Sequence, residues 1–183
     1  MLRTLTLFSI FTSLVVGMLC VNPAGAASAN GLDQDSAAAL QSLYESTPAA
    51  KALGEKAKGV LIFPNVVKAG FIVGAQSGDG VLKKGGKTAG YYNTSAVSAG
   101  FQAGAQSFGY VLFFMSDGAM KYLANKNGWE IGVGPSVVIV DAGMAKTLST
   151  TTAHSDIYAF IFDQKGLMAG AGIQGAKISK ISR

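Results

Sequence analysis

Seven of the chain's 15 lysines and arginines fall between positions 51 and 87: Lys51, Lys56, Lys58, Lys68, Lys83, Lys84 and Lys87. A lysine ammonium is a compact point charge suited to phosphate oxygens. Set beside an amphipathic helix, such charges can hold an anionic bilayer surface, each worth about 1 kcal/mol where it reaches the surface. The competing reading is a solvated face, partly neutralised by Glu55 and Asp79. Covalent chemistry has poorer material. His154 is the one histidine, with Ser155 and Asp156 beside it and Ser149 to Thr152 just before. A nucleophile, base and acid must converge from separated elements, which immediate neighbours in a loop do not do. Residues 170–175 spell G-x-G-x-x-G, but a dinucleotide site needs a following helix and an acidic residue about 20 positions on. Only eight residues follow, none of them acidic. One histidine leaves a zinc site without ligands, and Asp79, Asp117 and Asp163 lie near glycines as turn residues do. No enzyme, metal or cofactor is expected. Tyr91, Tyr92 and Phe101 have rings able to stack on bases, but they fall within strand patterns and are assigned to the core, so no nucleic-acid partner is expected.

The elements that must carry the lysines are legible in the periodicity. Residues 69–77, AGFIVGAQS, recur at 99–107 as AGFQAGAQS, identical at seven of nine positions. Both copies alternate with period two, which argues for half-buried strands. Val67, Ala69, Phe71, Val73 and Ala75 share one face, and Lys68, Gly70, Gly74 and Gln76 the other. Glycine weakens a strand unless another backbone or a ligand comes close, so the glycine faces are expected to lie against something. Before these strands, residues 33–46 have helical spacing, with Ala37, Leu40, Leu43 and Tyr44 on one face and Asp33 or Asp35 as cap. Thr47-Pro48 opens a second helix, ended by Gly59. Strands follow at 60–63 and 66–77, a turn at Gly78-Asp79-Gly80, a strand start at 81–83, and a turn at Gly85-Gly86. Strands at 90–107 and 109–115 come next. The last, GYVLFFM, is apolar on both faces and belongs at the centre of a sheet. Ser116-Asp117 caps one inserted helix. Residues 129–140 return to strand, with Pro135 marking an edge or bulge. Residues 141–155 form a loop, and 157–162 with 167–181 a final hairpin carrying a β-bulge at Gly175. The class is α+β: a glycine-rich antiparallel sheet curled toward a barrel, with two N-terminal helices and one inserted helix.

Residues 1–26 have the form of a secretory signal peptide: Arg3, an apolar run from Leu5 to Val21, and Ala24-Gly25-Ala26 before cleavage at Ala27. An uncleaved anchor and a lipid-attached Cys20 are the alternatives. The mature chain, 27–183, is expected to be one domain. Without Cys20 it has no thiol, which excludes disulfides and thiolate chemistry. Its net charge falls from +5 to +4 with the loss of Arg3, a mild bias toward anionic partners.

Several ordered blocks carry a family resemblance. GVLIFPNVVKAGFIVGAQSGDGVL at 59–82, YYNTSAVSAGFQAGAQSFGYVLFFM at 91–115, GWEIGVGPSVVIV at 128–140 and KGLMAGAGIQGAKI at 165–178 are similar to the SYLF lipid-binding domain family, which includes yeast actin-binding proteins. The likeness covers roughly 50–183 and is greatest to the secreted bacterial branch. It implies a non-enzymatic domain that binds phospholipid, exported to the periplasm or envelope of a bacterium. Two departures limit what carries over. Gln174 stands where many relatives have glutamate. The acidic helix around Asp33, Asp35 and Glu45 does not match the basic N-terminal stretch of eukaryotic relatives, so phosphoinositide specificity is not implied and actin is not expected as a partner. The expected partner is an anionic phospholipid or membrane surface, contacted through the seven lysines. A structural or self-assembling envelope protein, hence a homo-oligomer, is the alternative. An outer-membrane barrel is disfavoured, because GYVLFFM does not alternate as lipid-facing strands do.

Overall fold

The computed structural model describes residues 28–99, 104–148, 154–166 and 172–183. The signal segment, Cys20 and Phe101 lie outside the described residues. Two helices open the chain, α1 (Ala29–Ser46) and α2 (Pro48–Lys56). Four long strands follow: β1 (Gly59–Phe71), β2 (Val73–Lys84), β3 (Lys87–Ala99) and β4 (Gly104–Phe114). Then come α3 (Asp117–Leu123), β5 (Trp129–Glu130), β6 (Val137–Val140), α4 (Ala142–Thr147), β7 (Ile157–Gly166) and β8 (Lys177–Ile181). The strands form one sheet in the order β5-β8-β3-β2-β1-β4-β7-β6, curled as a half-barrel. The α+β class and the barrel-like sheet stand.

The starts of α1, α3 and α4 follow side-chain caps, while Thr47 makes no side-chain cap hydrogen bond ahead of α2. Ser28 Oγ accepts from the Gly31 amide at 3.2 Å, so α1 begins before Asp33 and Asp35, the caps expected from sequence. Its buried side is Leu32, Ser36 and Leu43, spaced four and seven residues apart as one helix face requires; Ala37 points to solvent. Pro48 opens α2 as expected, and Ser116 Oγ caps α3 by accepting from Ala119 N at 3.1 Å. Residues 142–147, expected as loop, form α4 because Asp141 Oδ1 accepts from Met144 N at 2.7 Å.

The sheet is packed on both faces over most of its extent. Leu61, Phe63, Leu82, Tyr110, Leu112 and Phe114 lie in a core shared with α3, Trp129, Ile131 and Ile173. Val60, Ile62, Val111, Phe113, Tyr158 and Phe160 pack on the other side against Leu43, Ala50 and Leu53 of the N-terminal helices. β4 alternates between these cores and lies between β1 and β7, so its unbroken apolar run marks a central strand.

Four expectations need correction. The sheet is mixed, because β6 pairs in parallel with β7. Residues 129–140 are two short edge strands, with Pro135 in their connection. There is no final hairpin: β8 pairs with β3 and β5, and β7 with β4 and β6, so 157–166 and 177–181 lie on opposite sides of the sheet. Gly175, at φ +73, sits in a turn ahead of β8, with its amide donating to Ile131 O, rather than in a bulge.

The fourth correction concerns the repeat. Each copy of AGFxxGAQS reverses the chain instead of continuing one strand. The first folds back at Ile72, pairing Gly70 with Gly74. A Cβ on Gly70 would lie 2.3 Å from Gly74 Cα, so the glycines permit the arms to close on each other. The second copy joins β3 to β4, with 100–103 outside the described residues. Gly78-Asp79-Gly80 is no turn but lies inside β2. β1 carries one extra residue around Pro64-Asn65, since Phe63 pairs with Tyr110 and Val66 with Phe108. This bulge presses its backbone onto β2: a Cβ on Gly80 would lie 2.4 Å from Ile62 O, and one on Gly78 would lie 2.7 Å from Asn65 O. Gly85-Gly86, at φ +54 and +78, is the expected two-residue hairpin turn.

Candidate functional site

The β2–β3 turn brings part of the lysine set together. Lys84 pairs with Lys87 across Gly85-Gly86, and Lys83 pairs with Val60 at the start of β1. Lys56 lies in the last turn of α2, and the Lys58 amide donates to Phe114 O at 2.8 Å as the chain enters β1. Between turn and helices is a cleft of about 310 Å³, lined by Leu40, Tyr44, Gly54, Val60, Lys83 and Gly85 among others. Lys56, Lys58, Lys84 and Lys87 are exposed and Lys83 half-buried. Lys51 is exposed on α2. Lys68 is apart from all of these, past the β1 bulge toward the Ile72 reversal, where it pairs with Gln76 and Gln106.

Acidic groups temper the lysine end. Glu55 lines the same cleft. Asp33 accepts from Thr88 Oγ1 at 2.6 Å and from the Tyr91 hydroxyl at 2.8 Å, tying α1 to β3. The Thr88 hydrogen bond, and then the Tyr91 hydrogen bond and the Lys83 charge, hold the Asp33 carboxyl below the usual carboxylate range against some desolvation. Asp33 in turn raises the Tyr91 hydroxyl, chiefly through that shared hydrogen bond.

Ser149 to Thr152 lie outside the described residues, and the catalytic candidates that are described do not assemble. His154 is exposed. The Asp156 carboxylate accepts instead from Ser116 Oγ, from Ser136 Oγ and from the Ser136 amide, at 3.2–3.3 Å. It is a brace between the α3 cap and the β5–β6 connection. Gly172 and Gly175 are exposed and lead into β8 rather than a helix, so the G-x-G-x-x-G spacing has no dinucleotide context. Tyr92 is buried, and Tyr110 donates to Thr94 Oγ1 at 2.7 Å inside the core, where burial pushes its hydroxyl well up. Among the described residues no group of three or more His, Cys, Asp or Glu could hold a metal, and no helix is long and apolar enough to cross a membrane.

Sequence reasoning missed the far end of the meander. There the apolar phase faces solvent and the polar phase faces in: Val97 is 79 % exposed, while Gln76 and Gln106 are 6 % and 3 % exposed. The repeat held the signal, since these glutamines occupy the same position in both copies.

Residues 95–182 match the family model Ysc84, described as "Las17-binding protein actin regulator". The matched stretch contains the second repeat copy, the central strand and every later element. The match covers just under half of the chain and is consistent with a SYLF-family domain. No curated protein matches it. The SYLF family is one of binding domains, related to lipids or to actin regulation, and not known for enzymes.

Proposed function

We propose that this protein is an exported, non-enzymatic domain that binds an anionic phospholipid or envelope membrane surface. The observation that carries this reading is the gathering of Lys56, Lys58, Lys83, Lys84 and Lys87 around one end of the sheet, in a chain whose later half matches a family of binding domains. The export segment at 1–26 and a periplasmic or envelope location belong to the same reading, and actin has no place in it.

Co-sedimentation with phosphatidylglycerol-containing and purely zwitterionic vesicles tests it. Binding is expected to the acidic vesicles and to fall with salt, because exposed charges are screened over about 8 Å at physiological ionic strength. Replacing Lys83, Lys84 and Lys87 together by glutamine should cost up to about 3 kcal/mol if all three reach the surface. Equal, salt-independent binding of both proteins would remove the lysine turn as the contact. No binding at all would leave self-assembly in the envelope as the better reading.

A further inference from the structure

The far end of the meander is inside out. Its outer face carries the row Lys177–Ser95–Ser77–Val67–Ser107–Lys165, one residue each from β8, β3, β2, β1, β4 and β7. The next row outward is Val97–Ala75–Ala69–Ala105, and Val73 and Ile72 lie beyond it. Val97 is 79 % exposed, Val73 59 %, and Val67 and Ile72 49 % each. The concave face carries Ala96–Gln76–Lys68–Gln106. There Gln76 Nε2 and Gln106 Oε1 are buried without a hydrogen-bond partner. Apolar outside and polar inside is the polarity of strands that face hydrocarbon.

We infer that this tip, Val67–Ala75 with Val97 and Ala105, enters one leaflet of an anionic phospholipid bilayer, with Lys165 and Lys177 at headgroup level. The inference rests on the lipid-binding function proposed above but replaces its contact: with the tip inserted, the lysine turn stands clear of the bilayer, and the Lys83, Lys84 and Lys87 triple glutamine variant should bind vesicles as the unsubstituted chain does. Three features select a bilayer as the occupant. The first is depth: Val67 to Ile72 is five residues, about 16 Å at about 3.3 Å per residue. That is close to half of a hydrocarbon core about 30 Å thick, so the wedge fits one leaflet and does not span. The second is charge. The row bounding the apolar field has serines in the middle and exposed lysines toward its flanks; Glu130 pairs directly with Lys177 and offsets its charge, so the positive flank of the row is Lys165. A basic group at that level complements anionic headgroups. The third is the apex. Ile72 has φ +65, a strained conformation for a β-branched residue. Glycine or asparagine would turn the chain with less strain. Isoleucine puts a bulky apolar group at the point that enters first.

The test uses the full chain with Cys20→Ser and V97C, labelled with nitrobenzoxadiazole, and phosphatidylcholine–phosphatidylglycerol vesicles. The expected result is a blue-shifted emission that doxyl groups on the acyl chains quench. The same label at V133C should not respond, since Val133 is comparably exposed at 58 % but lies in the β5–β6 connection. V73D with V97D should lower vesicle partition by about tenfold or more, the loss expected when buried valine contacts are forfeited. The pair should stay folded, with a melting temperature only modestly lowered by aspartate's poor strand propensity, because both side chains face solvent in the free protein. Undiminished vesicle binding by V73D/V97D, with no shift at position 97, overturns the tip and leaves the lipid function standing. Failure of the unsubstituted chain to bind vesicles overturns both. A lipid-free dimer that V97D converts to monomer in light scattering assigns the face to a second copy and overturns the inference.

Discussion

The two ends of the β1–β2 hairpin share their strands and differ in what covers them. Near α2, both faces are closed: Leu61 and Leu82 under α3 and Trp129, Val60 and Ile62 under Leu43, Ala50 and Leu53. Charge is left to the margins, on the Gly85-Gly86 turn. Past the β1 bulge the outer face is bare and apolar, and the polar groups are inside. Val73 and Lys84 bound β2, so about 36 Å of strand separates the ends at about 3.3 Å per residue. That distance exceeds several screening lengths. A bilayer that takes the tip end-on therefore lies beyond the direct reach of the lysine turn. A sheet lying flat on the bilayer presents lysines but cannot sink the tip. The difference shows that composition alone does not identify the contact: the charged end is the one a sequence advertises, and the bare end is the one the fold leaves unfinished.

The largest expected effect is at the waist between the ends. Gly80→Val places a Cβ 2.4 Å from Ile62 O and 2.5 Å from the Phe63 ring. Backbone cannot yield cheaply there, and a loss of about 3 kcal/mol is expected from overpacking, read from the urea midpoint. A midpoint equal to wild type would mean that the bulge gives way, and that the two ends are not held in fixed relation.

That waist also explains which parts of the fold were legible from the sequence. The start of α2, the inserted helix α3, the Gly85-Gly86 turn and the central place of GYVLFFM followed from local rules, because Pro48, the Ser116 cap, paired glycines and an unbroken apolar run each act within a few residues; the start of α1 and the whole of α4 did not. The side-chain face of β1 did not. Leu61 and Phe63 face the α3 core; after one extra residue at Pro64-Asn65, so do Val66, Lys68 and Gly70. A one-residue slip exchanges every later face, and nothing local to residues 66–71 records it. The repeat misled for a related reason. Alternation continues smoothly through a tight reversal, so AGFIVGAQS looks like one strand although it is two arms closed on Gly70 and Gly74. At the candidate site, the cluster 83–87 was legible because it spans one turn. Lys68 was grouped with it by sequence proximity, and the fold sends it to the other end.

A smaller effect, of opposite sign on two readouts, sharpens the contrast. Ile72 is half exposed at φ +65, so its side chain contributes little burial while its backbone is strained. Ile72→Asn should raise stability by up to about 1 kcal/mol, since asparagine tolerates the left-handed region. It should at the same time weaken partition into phosphatidylglycerol vesicles. Stability and binding moving together would mean that the apex serves the fold and not an external surface.

The smallest expected effect belongs to the lysine end. Asp33 is depressed in the folded protein, first by Thr88 and then by Tyr91 and Lys83. A carboxyl depressed by folding contributes stability above its unfolded pKa, and that contribution fades as pH falls through the lower folded value. Asp33 is largely solvated, so screening limits the worth of this tether to a few tenths of a kcal/mol. Asp33→Asn should therefore melt slightly below wild type at neutral pH, and the gap should close in strong acid as the wild-type carboxyl protonates. A gap that persists in acid would assign the tether to hydrogen bonds that survive protonation rather than to charge. In either case, vesicle partition through the tip should be indifferent to Asp33, because α1 is anchored to β3 near Thr88, at the far end of the sheet from Val97. A change in partition on this substitution would couple the two ends and break the separation on which the comparison rests.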